Sequence, residues 1–200
     1  MNLPGAILAA MDTRASFTSM EQSTRADWEI IGAHFLGYAR GLAGRVIEHL
    51  QILAGDTCGF PIDRLQHSLL TATLAREGGE DDEYVVCALV HDVGDTLGTW
   101  NHPDIAAAIL KPFVSEANHW MVEKHGIFQG YYFFEYLGLD KNSRERFRGH
   151  EWFDATAEFC ELYDQCSFDP KYRSLPLAEF APMVERLLAQ PKRSIYRHEG

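Results

Sequence analysis

The sequence has few cysteines, no long apolar run and no excess of basic residues, and each shortage excludes a class of protein. The four cysteines show no CxxC spacing, and we expect reduced thiols in a cytoplasmic protein. No apolar run approaches the roughly 20 residues that a transmembrane helix needs. The N-terminal residues include a short apolar patch without a basic region before it, so we predict no signal peptide.

Acidic residues outnumber basic ones by 29 to 18, which gives a net charge of -11. Nucleic-acid binding needs a basic surface that neutralises phosphates, so we predict no nucleic-acid partner, and we expect no membrane partner either. An acidic surface would attract a cationic substrate, although solubility alone also explains such a charge. The oligomeric state is left open by these features.

The length and composition suit one domain, because 200 residues with 46% hydrophobic content can bury a sizeable core. Helical signals recur along the chain, without repeats or low-complexity segments, so we predict an all-α helical bundle. Within this single domain we expect a helical extension at 1–55, a metal-binding core at 56–170, and a C-terminal helix and tail at 171–200.

Capping residues and glycines mark the predicted helix boundaries. Thr24 and Asp27 match a capping box, and a break is expected near Gly41. Pro61 suits the first turn of the next helix, and Gly78 marks its end. Further helices are predicted from Asp81 through Val90, after Asn101, after Ser115, over Trp152–Cys166 and over Leu177–Leu188.

The most informative stretch is an apolar run, Val85–Val90, that is followed directly by His91 and Asp92. Periodicity alone fits a buried strand as well as a helix, and the surrounding helical signals favour the helix. A histidine nitrogen and two carboxylate oxygens suit a metal ion, and one carboxylate can bind two metals. On its own the pair is weak evidence for a metal site, because a buried helix that ends in two polar residues gives the same pattern.

Metal-ligand residue types recur at five predicted helices or helix ends, in the order His67, His91–Asp92, His102, His125 and Asp164. This order, with the segments around His67 and Asn101–Ala107, resembles the HD-domain superfamily. Within it, the presence of all six ligands is similar to the mixed-valent di-iron oxygenases that cleave phosphonates. The resemblance covers about residues 61–170 and implies a helical bundle with the metals in its core.

The resemblance also implies a role for each ligand. Asp92 would bridge two irons, one Fe(II) and one Fe(III), and His91, Asp92 and Asp95 would be the catalytic residues. The remaining ligands would divide between the irons as His67, His91 and Asp164 on one, and His102 and His125 on the other. The implied reaction is O2-dependent cleavage of the C–P bond of a 1-hydroxyphosphonate, here (1-hydroxy-2-(trimethylamino)ethyl)phosphonate, to glycine betaine and phosphate.

Two departures from the family pattern concern the substrate. The family's loop before the first histidine carries a tyrosine and a glutamate, which Thr57–Phe60 lacks, and Gln129 stands where the family has a lysine. We still predict that Gln129 contacts the substrate, but the donors that bind the phosphonate must come from elsewhere. We predict Arg148 and His150 for this role, since an arginine fork offers a dianion two donors; a solvated basic turn is the alternative.

For the other end of the substrate we predict a quaternary ammonium group, held by aromatic faces and one carboxylate. Trp100, Tyr131 and Tyr132 flank the third and fourth histidines, and Asp95 follows the His91–Asp92 pair closely. A trimethylammonium group donates no N–H hydrogen bond, so cation–π attraction and an unpaired negative charge would recognise it. Core packing of the rings and a capping role for Asp95 are the alternatives.

A different reaction is also compatible with these residues. A metal-dependent phosphohydrolase would cleave a small phosphate ester, with Asp95 as general base toward a metal-activated water. A module that only binds a ligand or a partner is a third possibility, which six intact ligands argue against. His119 competes with His125 as a ligand, but its position predicts a different face of the same helix.

Overall fold

The computed structural model of the protein describes residues 14 to 196, and helices are the only regular elements in that range. The eight α-helices are α1 (Arg25–Arg40), α2 (Leu42–Ile52), α3 (Arg64–Glu77), α4 (Asp82–Val90), α5 (His102–Leu110), α6 (Glu116–Gln129), α7 (Phe153–Phe159) and α8 (Leu177–Leu188). The predicted all-α class is confirmed. None of the described helices combines the length and the apolar character that crossing a membrane requires.

Short helical turns lie before, between or directly after these elements. They are the 3-10 turns Met20–Gln22, Gly130–Tyr132, Phe134–Leu137 and Ser143–Phe147, and the π-helical turn Cys160–Asp164. The described chain forms two compact units, residues 14–45 and residues 46–196. The candidate site lies wholly in the second unit.

In the first unit, α1 begins at the predicted capping box. The Thr24 side chain accepts a hydrogen bond from the backbone N–H of Asp27, and the Asp27 carboxylate accepts one from the backbone of Thr24. The backbone N–H of Ser16 also donates to Asp27, which keeps the segment before α1 in place. α1 ends before Gly41, at the predicted break.

In the second unit, α4 is the central helix. Its residues Val85–Val90 are all fully buried, because α3, α6 and α8 pack around it. A helix that is apolar on every side is stable only when it is surrounded in this way, and the prediction of a helix rather than a strand is confirmed. His91 and Asp92 follow α4 directly, so the packing of α4 fixes where they emerge.

Side-chain caps define where the ligand-bearing helices begin. Asp63, rather than Pro61, caps α3 by accepting a hydrogen bond from a backbone N–H of its first turn. The helix therefore starts later than predicted, and Pro61 lies in the preceding turn. Asp81 and Ser115 cap α4 and α6 as expected. Asn101 precedes α5, but its side chain makes no capping hydrogen bond.

Two local features of the backbone position ligand residues. At Gly94 an added Cβ would lie 2.5 Å from the carbonyl oxygen of His102, so a glycine allows the turn after α4 to approach the start of α5. After α7 the chain forms the π-helical turn Cys160–Asp164, where the sequence predicts a regular helix. A π-helical turn accommodates an additional residue, and such turns are frequent at functional sites; here the turn carries Asp164.

Candidate metal centre

The structure brings all six predicted ligands into one cluster inside the second unit. They come from α3 (His67), the end of α4 (His91 and Asp92), the first residue of α5 (His102), α6 (His125) and the π-helical turn (Asp164). All are buried except His102, whose side chain is 21% exposed. The potential ligand atoms form groups within 4.8 Å of one another: His67, His91 and Asp164; His91, Asp92 and His125; and Asp92, Asp95 and His102.

The carboxylate of Asp92 divides the histidines into two pairs. Its Oδ2 lies 3.4 Å from Nε2 of His67 and 3.4 Å from Nε2 of His91. Its Oδ1 lies 3.1 Å from Nε2 of His102 and 3.2 Å from Nε2 of His125. Each oxygen of one side chain therefore serves a separate half of the cluster.

Asp164 belongs to the His67 and His91 half of the cluster. Its Oδ1 lies 3.2 Å from Nε2 of His67 and 3.7 Å from Nε2 of His91, and accepts a hydrogen bond from Nε2 of Gln129 at 3.1 Å. Its Oδ2 is buried without a hydrogen-bond partner among the described residues. A buried acceptor without a partner is destabilising, and a cation bound in this half would supply one.

Each ligand histidine is oriented by a hydrogen bond between its Nδ1 and an oxygen outside the ligand cluster. The acceptors are the carbonyl oxygens of Ser167 for His67 (3.0 Å), Ala88 for His91 (2.7 Å) and Val122 for His125 (2.7 Å), and Oδ1 of Asp95 for His102 (3.1 Å). Because these oxygens accept, each Nδ1 donates, and in the neutral ring Nε2 presents a lone pair to the cluster. This is the tautomer that a metal-binding histidine needs.

The converging lone pairs and carboxylates favour positive charge at the centre. Burial opposes the charge on His91, but Asp92 and Asp164 outweigh it and raise the pKa of His91 to about 9. Burial also opposes ionisation of Asp92, but the facing histidines and Arg64 outweigh it and hold the pKa of Asp92 well below its usual range. Both effects indicate ionised carboxylates that attract a cation.

The donor set and its spacing fit two metal ions. Two ligands that are each about 2.1 Å from one ion lie about 3.0 to 3.4 Å apart, which matches the separations around both oxygens of Asp92. His67, His91 and Asp164 would hold one ion, and His102 and His125 the other. Neutral imidazoles and anionic carboxylates are both suitable ligands for iron.

Asp95 lies behind His102, which differs from the expectation of a free carboxylate facing the substrate. One oxygen lies 3.1 Å from Nδ1 of His102, and the other accepts a hydrogen bond from Nε of Arg64 at 2.5 Å. Both oxygens are therefore paired, and Asp95 is not among the residues that line the cavity. A carboxylate in this place fixes the ring orientation and increases the basicity of the metal-facing nitrogen.

A cavity of about 720 Å³ opens onto the cluster. Its wall includes every ligand except His91, together with three predicted substrate residues, Trp100, Gln129 and Tyr132. Trp100 is fully exposed, so it lies where the cavity meets solvent. The wall also includes six aromatic side chains, those of Phe60, Trp100, Tyr132, Phe133, Phe134 and Phe168.

Besides Asp95, three predicted substrate residues do not line this cavity: Tyr131, Arg148 and His150. Arg148 is engaged by Glu145 through two hydrogen bonds of 2.7 and 2.8 Å within its own turn. His150 stacks on Trp120, with ring centroids 4.3 Å apart. These neighbours satisfy the polar and aromatic groups locally, so the geometry favours structural roles for both residues.

Sequence reasoning missed three residues beside the cluster. The Phe168 ring stacks on His67 with centroids 4.4 Å apart, and Phe60 stacks on Phe168 at 5.5 Å. The guanidinium carbon of Arg64 lies 4.9 Å from the centre of the Phe60 ring. Arg64 and His67 are one helical turn apart on α3, so their proximity follows from helix geometry; the two phenylalanines come from loops and carry no such signal.

Comparison with known proteins adds no family assignment. No protein-family model matches the sequence, and no curated protein matches it. The resemblance to HD-domain oxygenases therefore stays a prediction from the order of the ligands along the chain.

Proposed function

We propose that the protein is a di-iron, O2-dependent oxygenase that cleaves the C–P bond of a 1-hydroxyphosphonate. The observation that supports it most is the division of Asp92, whose Oδ1 faces His102 and His125 while Oδ2 faces His67 and His91. A single metal would use one half of this arrangement, whereas two metals use both. The order of the six ligands along the chain resembles that of the di-iron oxygenases, and this resemblance is the reason for proposing oxygenase chemistry.

Two irons, when bound, supply the dioxygen binding and one-electron chemistry that amino-acid side chains lack. The ligands prepare unequal sites for them. His67, His91 and Asp164 include a second carboxylate and suit the ferric ion, whereas the neutral rings of His102 and His125 suit the ferrous ion. Hydrogen bonds to each Nδ1 keep the rings oriented for both.

The cavity wall supports a substrate with a cationic end. Trp100 and Tyr132 offer aromatic faces, and a trimethylammonium group is attracted to such faces. Asp95 is paired, and the carboxylates on the wall outside the metal cluster are Asp104 and Glu123, of which Glu123 lies 3.0 Å from Nζ of Lys124. With (1-hydroxy-2-(trimethylamino)ethyl)phosphonate as substrate, one O2 is consumed, the C–P bond breaks, and glycine betaine and phosphate together contain both oxygen atoms.

The phosphohydrolase alternative receives less support from the same geometry. It needs a base that accepts a proton from the attacking water, and the sequence points to Asp95 for this role. The carboxylate of Asp95 already accepts from Arg64 and lies against His102. With both oxygens occupied, Asp95 is poorly placed to act as that base, which favours the oxygenase.

The test is O2-dependent phosphate release. Protein reconstituted with Fe(II) without oxygen is supplied with (1-hydroxy-2-(trimethylamino)ethyl)phosphonate, and then with oxygen in limiting amounts. We expect one phosphate and one glycine betaine for each O2, and no phosphate before oxygen is added. Phosphate release from simple phosphate esters in the absence of oxygen would instead support the hydrolase.

A further inference from the structure

A single arginine lies where the cavity meets the metal cluster. Among the described residues that line the cavity, Arg64 is the only arginine or lysine. Its side chain is only 16% exposed, and an arginine is seldom so buried without partners. A cation in this position is suited to an anionic group that enters the cavity.

Asp95 holds one edge of the Arg64 guanidinium. Nε of Arg64 donates to Oδ2 of Asp95 at 2.5 Å, and a terminal nitrogen, Nη2, lies 3.2 Å from Oδ2 of Asp92. A guanidinium group has five N–H donors in one plane, so these two contacts leave donors on the terminal nitrogens. Burial opposes the charge of Arg64, but Asp92 and Asp95 outweigh it and raise its pKa, so the group stays cationic.

Arg64 and a metal ion would compete for the same oxygen. Oδ2 of Asp92 lies 3.2 Å from Nη2 of Arg64 and 3.4 Å from Nε2 of both His67 and His91. A metal held by those histidines would take electron density from this oxygen and repel the guanidinium, which would weaken the contact between Arg64 and Asp92. Asp95 would still hold the Nε edge, so the terminal nitrogens would become available to an anion beside the metal.

We propose that Arg64 is the anion-binding residue of this cavity and receives a tetrahedral oxyanion, a phosphonate or phosphate group. The inference rests on the proposed function for the metals and adds the residue that binds the head group. An arginine offers two parallel N–H donors to such a group, which a lysine does not. Arg64 thus takes the role that the sequence suggested for Arg148 and His150.

The experiment compares Arg64→Gln with Arg76→Gln in protein loaded with Mn(II). Arg76 lies on the same helix, pairs with Glu179 at the surface and does not line the cavity, so it is a matched control for loss of charge. Calorimetric titrations use methylphosphonate and methyl phosphate as probes, and metal content and thermal unfolding are recorded for each protein. We expect Arg64→Gln to bind both probes at least tenfold more weakly with two metals retained, and Arg76→Gln to match the wild type.

Unchanged affinity in Arg64→Gln overturns the inference. Weaker affinity that accompanies loss of metal also overturns it, because Arg64 would then act on the metal site alone. If Arg64→Gln does not fold, Arg64→Lys decides, and a several-fold loss is expected because the charge stays but the fork is lost.

The two probes separate the sources of the anion, since tighter binding of methylphosphonate points to a phosphonate substrate and tighter binding of methyl phosphate to an ester. Mn(II)-loaded protein is titrated without any turnover of O2. Failure of the oxygenase proposal would therefore appear as absent O2-dependent phosphate release, while the anion titration keeps its own outcome.

Discussion

Oδ1 of Asp95 lies 3.1 Å from Nδ1 of His102, and Nε2 of the same ring lies 3.1 Å from Oδ1 of Asp92. One imidazole thus joins two carboxylates, one behind it and one in the cluster. The arrangement sets the tautomer of His102 and turns its metal-facing nitrogen inward. It also makes the orientation of His102, the most exposed of the ligands, dependent on the carboxylate of Asp95.

Removal of this support should weaken one metal site and spare the other. We expect Asp95→Ala to lower metal affinity in the half that contains His102 by about 10- to 100-fold, the usual effect of losing such a partner. Metal titrations should then show one tight and one weak site. Asp95→Asn, which keeps an oxygen that accepts from Nδ1, should recover much of the affinity, and two tight sites in Asp95→Ala would contradict the assignment.

The choice between two histidines of α6 gives a second test. His125 faces Asp92 at 3.2 Å, whereas His119 is outside the cluster. We expect His125→Ala to retain one metal per chain, since the half with His67 and His91 is intact. His119→Ala removes the same side chain from the same helix and should retain two metals. Metal analysis after gel filtration measures both, and retention of two metals by His125→Ala would remove it from the ligand set.

The raised pKa of His91 predicts a stability that depends on pH after the metals are removed by chelation. In the folded chain the pKa is about 9, against an ordinary value of 6.5, because Asp92 and Asp164 outweigh the effect of burial. A raised pKa means that the charged ring stabilises the fold fully below about pH 6.5, and that this contribution is lost as the pH rises through about 9.

The urea concentration at the midpoint of unfolding of the chelated protein should therefore decrease as the pH rises from about 6.5 to about 9. His91→Gln, which cannot take up the proton, should show a smaller decline over the same interval. Metal binding displaces the proton, so metal affinity should rise with pH in the same window. A midpoint that is independent of pH in the chelated wild type would contradict the role of His91 in neutralising the cluster.

An aromatic residue of the cavity wall should control the choice of substrate. We expect Tyr132→Ala to raise the KM for the trimethylated 1-hydroxyphosphonate by about 2- to 30-fold, which corresponds to about 0.5 to 2 kcal/mol for one cation–π contact. The KM for the unmethylated compound should change less. Tyr136→Ala is the control, because Tyr136 is 85% exposed and does not line the cavity. Equal effects on both compounds would remove Tyr132 from cation recognition.

Much of the fold could be predicted because its signals are local. Thr24 and Asp27 cap α1 within four residues of sequence, and Ser115 caps α6 in the same way. The predicted start of α3 is too early because Pro61 and Asp63 both suit a helix start, and the side chain of Asp63 makes the capping hydrogen bond. The π-helical turn at Cys160–Asp164 could not be predicted, since it carries no distinct local sequence signal.

The ligand cluster was accessible from the sequence because its residue types are chemically distinctive and occur at helix ends. The surroundings were not, since they depend on contacts between distant segments. Asp95 is paired because α3 brings Arg64 against the turn after α4, and Phe168 covers His67 from a position about 100 residues away in sequence. Charge alone suggested Arg148 as the anion-binding residue, but Glu145 engages it within the same turn.

Whether Asp92 joins two irons decides the proposed function, and Mössbauer spectroscopy of the iron-loaded protein measures this most simply. After partial oxidation we expect two irons per chain, with ferrous and ferric components of equal area that are magnetically coupled through the shared carboxylate. Asp92→Ala, prepared in the same way, should lose the coupling. A single iron per chain, or two irons that behave as magnetically independent ions in the wild type, would show that Asp92 does not bridge a di-iron centre.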